Sequence, residues 1–231
     1  MASTVTIHGL EFTRYVQATV KIKGGGLVIW VDPHRVTDRE VGPDKADLVL
    51  ISHPHFDHMD PDALAAAVKE GTALVTNPTV WGELEAKLAA KLKDRMHVTT
   101  LRAGESTEQQ GVPIQAVAGY NSYHPREQGY NTGFLFTLAG RRIFHAGDTN
   151  KVPEHGELGS VDIALYPIGG TYTSDEADAA SAITELIKPK VFIPIHYGYA
   201  TGGDPEQCKA LVGAAAEVHI LEPVLKVRLG G

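Results

Sequence analysis

His53-Pro54-His55-Phe56-Asp57-His58 places three imidazoles and a carboxylate within six residues. The run before it, Ala46-Asp47-Leu48-Val49-Leu50-Ile51-Ser52, is an apolar stretch of β type. The run after it, Met59-Asp60-Pro61-Asp62-Ala63-Leu64, opens with a capping aspartate followed by proline, which starts a helix. The cluster therefore sits on a strand-to-helix loop, where side chains converge on a cleft instead of packing in a core. Neutral imidazole and carboxylate form the ligand set that suits Zn, Fe or Mn. A solvated His-rich loop would show no such agreement between ligand spacing, preceding strand and following helix.

Upstream of the cluster, Thr4 to Ile7 alternates weakly and Tyr15 to Lys23 alternates more clearly as β. Gly24-Gly25-Gly26 turns that run back into Leu27 to Val31 as a hairpin, and Asp32-Pro33 ends it. Residues 34–45 read as polar loop. Downstream, helices are expected over Pro61 to Lys69, stopped by Gly71, and from Pro78 to about Lys93 behind the Asn77 cap. Ala73 to Thr76, Val98 to Leu101 and Val112 to Ala118 read as strands, and Thr132 to Leu138 with Arg141 to His145 as a hairpin. The second half keeps the rhythm. Val161 to Pro167 is a strand, Thr173 to Glu176 is a capping box that starts a helix, and Pro189 stops it. Val191 to Ile195, a helix from Pro205 to Ala215, and strands Val218 to Leu221 and Val224 to Val227 complete the chain. No linker or low-complexity tract interrupts residues 1–231, which read as one α/β domain of two sheets packed face to face with helices outside.

Composition narrows the class. Hydrophobic residues make up 43% and charged residues 21%, as in an ordinary globular protein. A net charge of -7 gives no electrostatic footprint for nucleic acid or an anionic membrane. Cys208 is the only cysteine, so neither a disulfide framework nor a cysteine metal cluster exists; it reads as a packed or half-exposed thiol. The start of the chain lacks a signal-peptide pattern, and no apolar run approaches the ~20 residues that span a bilayer. The expectation is a cytoplasmic protein acting on a small molecule, with a homo-oligomer left open.

Adjacent residues cannot all face one ion, so further ligands must come from elsewhere. Asp148, in Phe144-His145-Ala146-Gly147-Asp148-Thr149, follows a glycine that lets backbone approach an ion, and its two oxygens suit bridging. The competing reading is a turn aspartate bonding its own backbone. His196 ends the buried strand Ile193-Pro194-Ile195. In Gly119-Tyr120-Asn121-Ser122-Tyr123-His124, His124 reads as ligand, substrate contact or surface residue, and Asn121 as a weak oxygen donor. His8, His97, His155 and His219 read as structural, with His34 and His145 supporting the cleft without ligating.

Together these motifs resemble the metallo-β-lactamase superfamily: His-x-His-x-Asp-His at 53–58, Gly-Asp-Thr at 147–149 and His196, in that order. Val31-Asp32-Pro33, Pro167 to Gly170 and Lys188 to Gly198 resemble its small metal-dependent hydrolases, the branch related to L-ascorbate-6-phosphate lactonase. The resemblance implies an αββα four-layer sandwich of two mixed sheets, with the site at one edge between them. It implies His53 and His55 as ligands of a first metal, Asp57, His58 and His196 of a second, and Asp148 as the bridge. Asn121 stands where the family's third first-site histidine is expected, with His124 three residues later. The site then reads as dinuclear through His124, mononuclear, or weakly loaded.

The implied chemistry is hydrolysis of a small ester, lactone or amide. A bound ion, Zn2+ with Mn2+ or Fe2+ as alternatives, lowers the pKa of its water from near 16 to roughly 7. Asp57 and His58 take the catalytic roles, with Asp57 orienting the nucleophile. Asn121, Tyr123, Arg126, Tyr172 and Tyr197 are expected as substrate contacts. A phosphodiesterase or nuclease of the same superfamily is the alternative hydrolase, and a metal-binding protein with little turnover is the alternative outside the hydrolases.

Overall fold

The computed structural model describes residues 2–198 and 201–226. Among these, two seven-stranded sheets carry their strands in chain order. The first holds β1 (Thr4–Ile7), β2 (Leu10–Arg14), β3 (Val20–Gly24), β4 (Leu27–Val31), β5 (Ala46–Leu50), β6 (Val68–Thr76) and β7 (Met96–Thr100). The second holds β8 (Ser106–Gln109), β9 (Val112–Ala118), β10 (Thr132–Leu138), β11 (Arg141–His145), β12 (Ile163–Pro167), β13 (Val191–Ile195) and β14 (Glu217–Val218). In the first sheet β1 to β4 pair antiparallel, and β5, β6 and β7 add in parallel. The second sheet repeats that scheme, antiparallel from β8 to β11 and parallel from there to β14.

Side-chain alternation decides which face of each strand is inside. Ile29 and Val31 of β4 and Leu48 and Leu50 of β5 face Phe134, Phe136, Ile163 and Leu165 of the other sheet in one buried core. Trp30 and Val49, one residue out of phase, pack outward on the helices α2 (Pro61–Ala67) and α3 (Pro78–Leu84) through Leu64 and Val80. The outer face of the second sheet, with Phe144, Tyr166 and Phe192, is covered by α4 (Glu176–Ser181) and α5 (Pro205–Val212). A single-turn helix, α1 (Asp38–Val41), precedes them in the chain. The layers run helix, sheet, sheet, helix, the expected αββα sandwich. Among the described residues no helix is long and apolar enough to cross a membrane.

Several boundaries differ from the sequence reading. Tyr15 to Lys23 is not one strand: residues 15–19 form a turn between β2 and β3, closed by the Thr19 amide donating to the Val16 carbonyl at 2.8 Å. Gly71 lies inside β6 at φ 79°, and α2 stops at Ala67. The helix expected to run to Lys93 breaks after Lys87, where Leu88 takes extended backbone and tucks inward. Thr173-Ser174-Asp175-Glu176 is not a capping box. Asp175 is the N-cap, its Oδ1 accepting from the Asp178 amide at 2.8 Å, and the helix continues as a π-turn through Ala182–Ile187. The capping box is Thr37 with Glu40, inside the supposed polar loop. Ser106–Gln109, between the expected strands Val98 to Leu101 and Val112 to Ala118, forms a strand of its own. Cys208 is fully buried. α5 ends at Gly213, at φ 58°. Only Glu217–Val218 forms a strand near the end; residues 219–226 form none, and Val227 lies outside the described residues.

Candidate metal centre

All seven expected ligands converge at one end of the two sheets. Three groups each have ligand atoms within 4.8 Å of one another: His53, His55 and His124; His53, His58 and Asp148; Asp57, His58 and His196. His53 and His58 are each shared, so the groups form one continuous cluster. Each group also draws on both sheets. Residues 53–58 follow β5, while His124, Asp148 and His196 follow β9, β11 and β13.

The backbone explains the convergence. The amides of His58 and Met59 both donate to the His55 carbonyl, at 3.0 and 2.8 Å, winding the loop tightly. Asp60 then caps α2 and also accepts from the Arg35 amide at 2.9 Å, which anchors the loop to the segment after β4. Gly147 has φ 63°, and a Cβ there would stand 3.0 Å from Ser52 Cβ; only glycine lets the Asp148 turn lie against the end of β5. His196 (φ 52°) and Gln17 (φ 48°) face each other, the His196 amide donating to the Gln17 carbonyl at 2.9 Å. With Asp32 at φ 46°, three left-handed non-glycine residues surround the site, the pattern of backbone strain held by its surroundings.

A buried carboxylate sets the imidazoles. Asp32 accepts from the Ser52 amide (2.7 Å), Ser52 Oγ (2.7 Å) and His58 Nδ1 (2.8 Å). Since the Ser52 hydroxyl gives its hydrogen to Asp32, its lone pair faces His53 Nδ1 at 2.9 Å. Both rings therefore carry hydrogen on Nδ1 and turn Nε2 inward. Asn121 does the same for His124. Its Oδ1 accepts from His124 Nδ1 (3.0 Å) and from the amides of Tyr123 and His124, while its Nδ2 donates to the Tyr172 carbonyl at 2.8 Å. His124 Nε2 is left 3.1 Å from His55 Nδ1.

The donor atoms fit a cation. His53 Nε2, His58 Nε2 and Asp148 Oδ1 are buried without a hydrogen bond, although His58 Nε2 lies 3.2 Å from that Oδ1. Buried polar atoms without a partner are costly, and a divalent ion would satisfy them together. The electrostatics agree. Burial holds the His53 imidazole well below its usual range and His124 at about 4, so both stay neutral. Burial opposes charge on His58 and His196, but Asp148 outweighs it, aided by Asp57, holding His58 high and His196 at about 9. Burial likewise opposes ionisation of Asp57 and Asp148, and the neighbouring imidazoles outweigh it, so both carboxyls are held low. Carboxylates that hold protons on imidazoles in this way hold a metal ion on the same atoms.

The cluster opens onto a cavity of about 470 Å³ lined by Gln17, Phe56, Tyr123, Tyr172 and Thr201 beside the ligands. Tyr123 and Tyr172 are where the sequence reading put them. Three expected contacts are not. Arg126 pairs with Glu154 at 2.6 Å and packs over Tyr120, lining a different pocket. Tyr197 is buried beneath Arg14 and donates to the Leu221 carbonyl at 2.8 Å. Asn121 lies behind His124 and does not line the cavity. His145 donates to the Ala18 carbonyl at 2.9 Å, and His34 lies 3.2 Å from Asp60; neither joins the ligand groups. Sequence reading missed Gln17, whose Nε2 is 3.5 Å from both Asp57 Oδ2 and His196 Nε2, because apparent strand alternation hid the turn. It also missed Ser52 and the role of Asp32. An acid at a strand end beside a histidine cluster was the available signal.

Fold and cluster together define a class, the metal-dependent hydrolases of metallo-β-lactamase fold. Within it, the chain belongs to the beta-lactamase superfamily domain family, whose profile matches residues 11–196. It is 36% identical over 188 residues to a UPF0173 metal-dependent hydrolase of Thermococcus onnurineus, covering 78% of this chain and 80% of that one. A UPF0173 metal-dependent hydrolase of Anaeromyxobacter dehalogenans is 34% identical over 237 residues, covering 92% and 84%. Among solved structures, Igni18, a metallo hydrolase from Ignicoccus hospitalis, superposes with a TM-score of 0.77 at 26% identity, covering 93% of this chain and 95% of that one.

Proposed function

We propose that this protein hydrolyses a small ester, lactone or amide at a centre holding zinc, with Mn2+ or Fe2+ as alternatives, in the cytoplasm. The observation that carries the reading is the unbroken run of closely spaced ligand atoms, from His55 and His124 through His53, Asp148 and His58 to Asp57 and His196, opening onto one cavity. His53, His55 and His124 would hold one ion and Asp57, His58 and His196 another, with Asp148 between them.

A metal bound there supplies a water ionised near pH 7 and a Lewis-acid contact for the substrate oxygen. The protein's own groups do the rest. Asp57 lines the cavity with a carboxylate kept ionised, so it accepts a hydrogen bond from the attacking water and orients it. The Gln17 amide points at Asp57 and holds that carboxylate in place. Asp32, through Ser52 and His58, keeps the ligand tautomers fixed through the cycle. His124 restores the third imidazole of the first site, which favours an enzyme over a metal-binding protein with little turnover.

The test is metal analysis beside a hydrolysis screen. Two ions per chain after zinc supplementation, with cleavage of esters or lactones, is the expected result. His58→Ala should lose metal and activity while keeping its circular dichroism spectrum. Unchanged turnover in that variant would sink the assignment.

A further inference from the structure

The walls of the cavity carry a chemical preference. Among the described residues five large apolar side chains are exposed, and three of them, Phe56, Tyr123 and Tyr172, gather around this one mouth at 64%, 50% and 46% exposure. Such a concentration marks a binding surface, because exposed apolar residues otherwise scatter singly. The rim is built and held. The Tyr123 and Tyr172 rings meet edge to face, with centroids 5.0 Å apart. Asn121 ties their backbones together, and the Tyr130 hydroxyl donates to the Tyr123 carbonyl at 2.7 Å. Phe56 stands on the ligand loop itself, edge-on to His34 at 6.1 Å.

The second observation concerns charge. No Lys or Arg side chain lines the cavity among the described residues, and the arginine nearest in sequence is engaged with Glu154 elsewhere. Sites that bind phosphate or carboxylate place guanidinium or ammonium groups in their walls. Here the neutral side-chain donors in the wall are the Gln17 amide and the hydroxyls of Thr201, Tyr123 and Tyr172. Bound metal attracts any anion, so selection between neutral and anionic compounds falls to these walls.

We infer, building on the hydrolase reading above, that the substrate is an uncharged carbonyl compound carrying an aryl group, held by the Phe56, Tyr123 and Tyr172 rim. For an aryl lactone, the water oxygen bonds to the acyl carbon and the acyl–oxygen bond breaks. One proton of the water ends on the departing phenolic oxygen, and the other leaves the new carboxylic acid as it ionises. Water is the only co-reactant.

The experiment compares three probes on zinc-loaded protein: dihydrocoumarin, δ-valerolactone and bis(4-nitrophenyl) phosphate. We expect kcat/KM for dihydrocoumarin to exceed that for δ-valerolactone by about tenfold, an aromatic contact's worth of binding. Tyr172→Ala and Phe56→Ala, both on exposed side chains, should erase that ratio by raising KM for dihydrocoumarin. Calorimetry with the lactam of dihydrocoumarin, a slowly cleaved neutral mimic, should show binding that both variants weaken. Equal rates on the two lactones, with no change in the variants, would overturn the inference and leave the hydrolase standing. So would preferred cleavage of the phosphodiester. Failure to cleave any probe in protein shown to hold metal would remove the hydrolase reading and the inference with it.

Discussion

At the scale of single residues, Asn121 does the most with the least chemistry. Its carbonyl fixes the His124 tautomer and its amide hydrogens hold the Tyr172 loop, so one side chain joins a ligand to the rim. A histidine in its place would be a ligand and supply no such brace. Removing the acceptor behind a metal-bound imidazole typically costs about 10–100-fold in affinity or activity. Asn121→Ala should therefore drop zinc content toward one ion per chain and cut kcat/KM within that range. Full metal content by plasma mass spectrometry, with unchanged kinetics, would show the brace to be idle. Which residue joins His53 and His55 in one group was not readable from spacing, because a three-residue offset in a loop carries no direction. Gln17 was hidden for the opposite reason. Its neighbours alternate as well across a turn as along a strand.

At the scale of elements, the strand ends hold the site and the caps hold the strand ends. Asn77 caps α3 by accepting from the Val80 amide at 2.9 Å, and its Nδ2 donates to the carbonyls of Ser52 and Tyr130 at 2.9 and 2.7 Å. It thus pins the exit of β5 to the loop that carries His124. Asn77→Ala loses the cap and leaves two carbonyls short of a donor, a cost of about 2–3 kcal/mol. Urea denaturation should show a midpoint shifted down at unchanged slope; a shift below about 0.5 kcal/mol would place those carbonyls in water. Most elements were legible because buried strands announce themselves by runs such as Leu48 to Ile51, and helix starts by Asp-Pro and Asn-Pro. The elements that were missed are the ones tertiary packing decides. Leu88 is pulled inward and breaks a helix that its propensities favour, and Ser106–Gln109 is a polar edge strand made by its pairing with β9. Asp148 and His196 were found as strand-end residues, whereas Arg126 and Tyr197 sat in plausible places in sequence and point elsewhere in space.

At the scale of the whole molecule, acid should weaken the fold through a group remote from the ligands. His155 is fully buried against Phe144, with Nδ1 near the Tyr166 hydroxyl, and burial lowers its pKa to about 4. The unfolded chain takes up this proton near pH 6.5 and the folded chain only near 4, so stability falls as pH drops through that window. The span of about 2.5 units corresponds to roughly 3 kcal/mol. His155→Gln should flatten the loss between pH 6.5 and 4 in thermal melts taken across that range. An identical acid limb in wild type and variant would assign the loss to other groups.

The division of ligands between the sheets has a kinetic consequence. Within each sheet every strand pairs with its neighbour in chain order, so either sheet can zip up from local contacts. The ligand groups all cross from one sheet to the other, so none exists until the two halves have docked. A metal ion would then have nothing to grip on the way up the folding barrier and a complete cage to leave on the way down. Stopped-flow measurements should find refolding rates nearly indifferent to zinc and unfolding slowed by about the full change in stability. A bound ion would act as a latch on the closed sandwich, and the lifetime of the native protein would become a property of its metal supply.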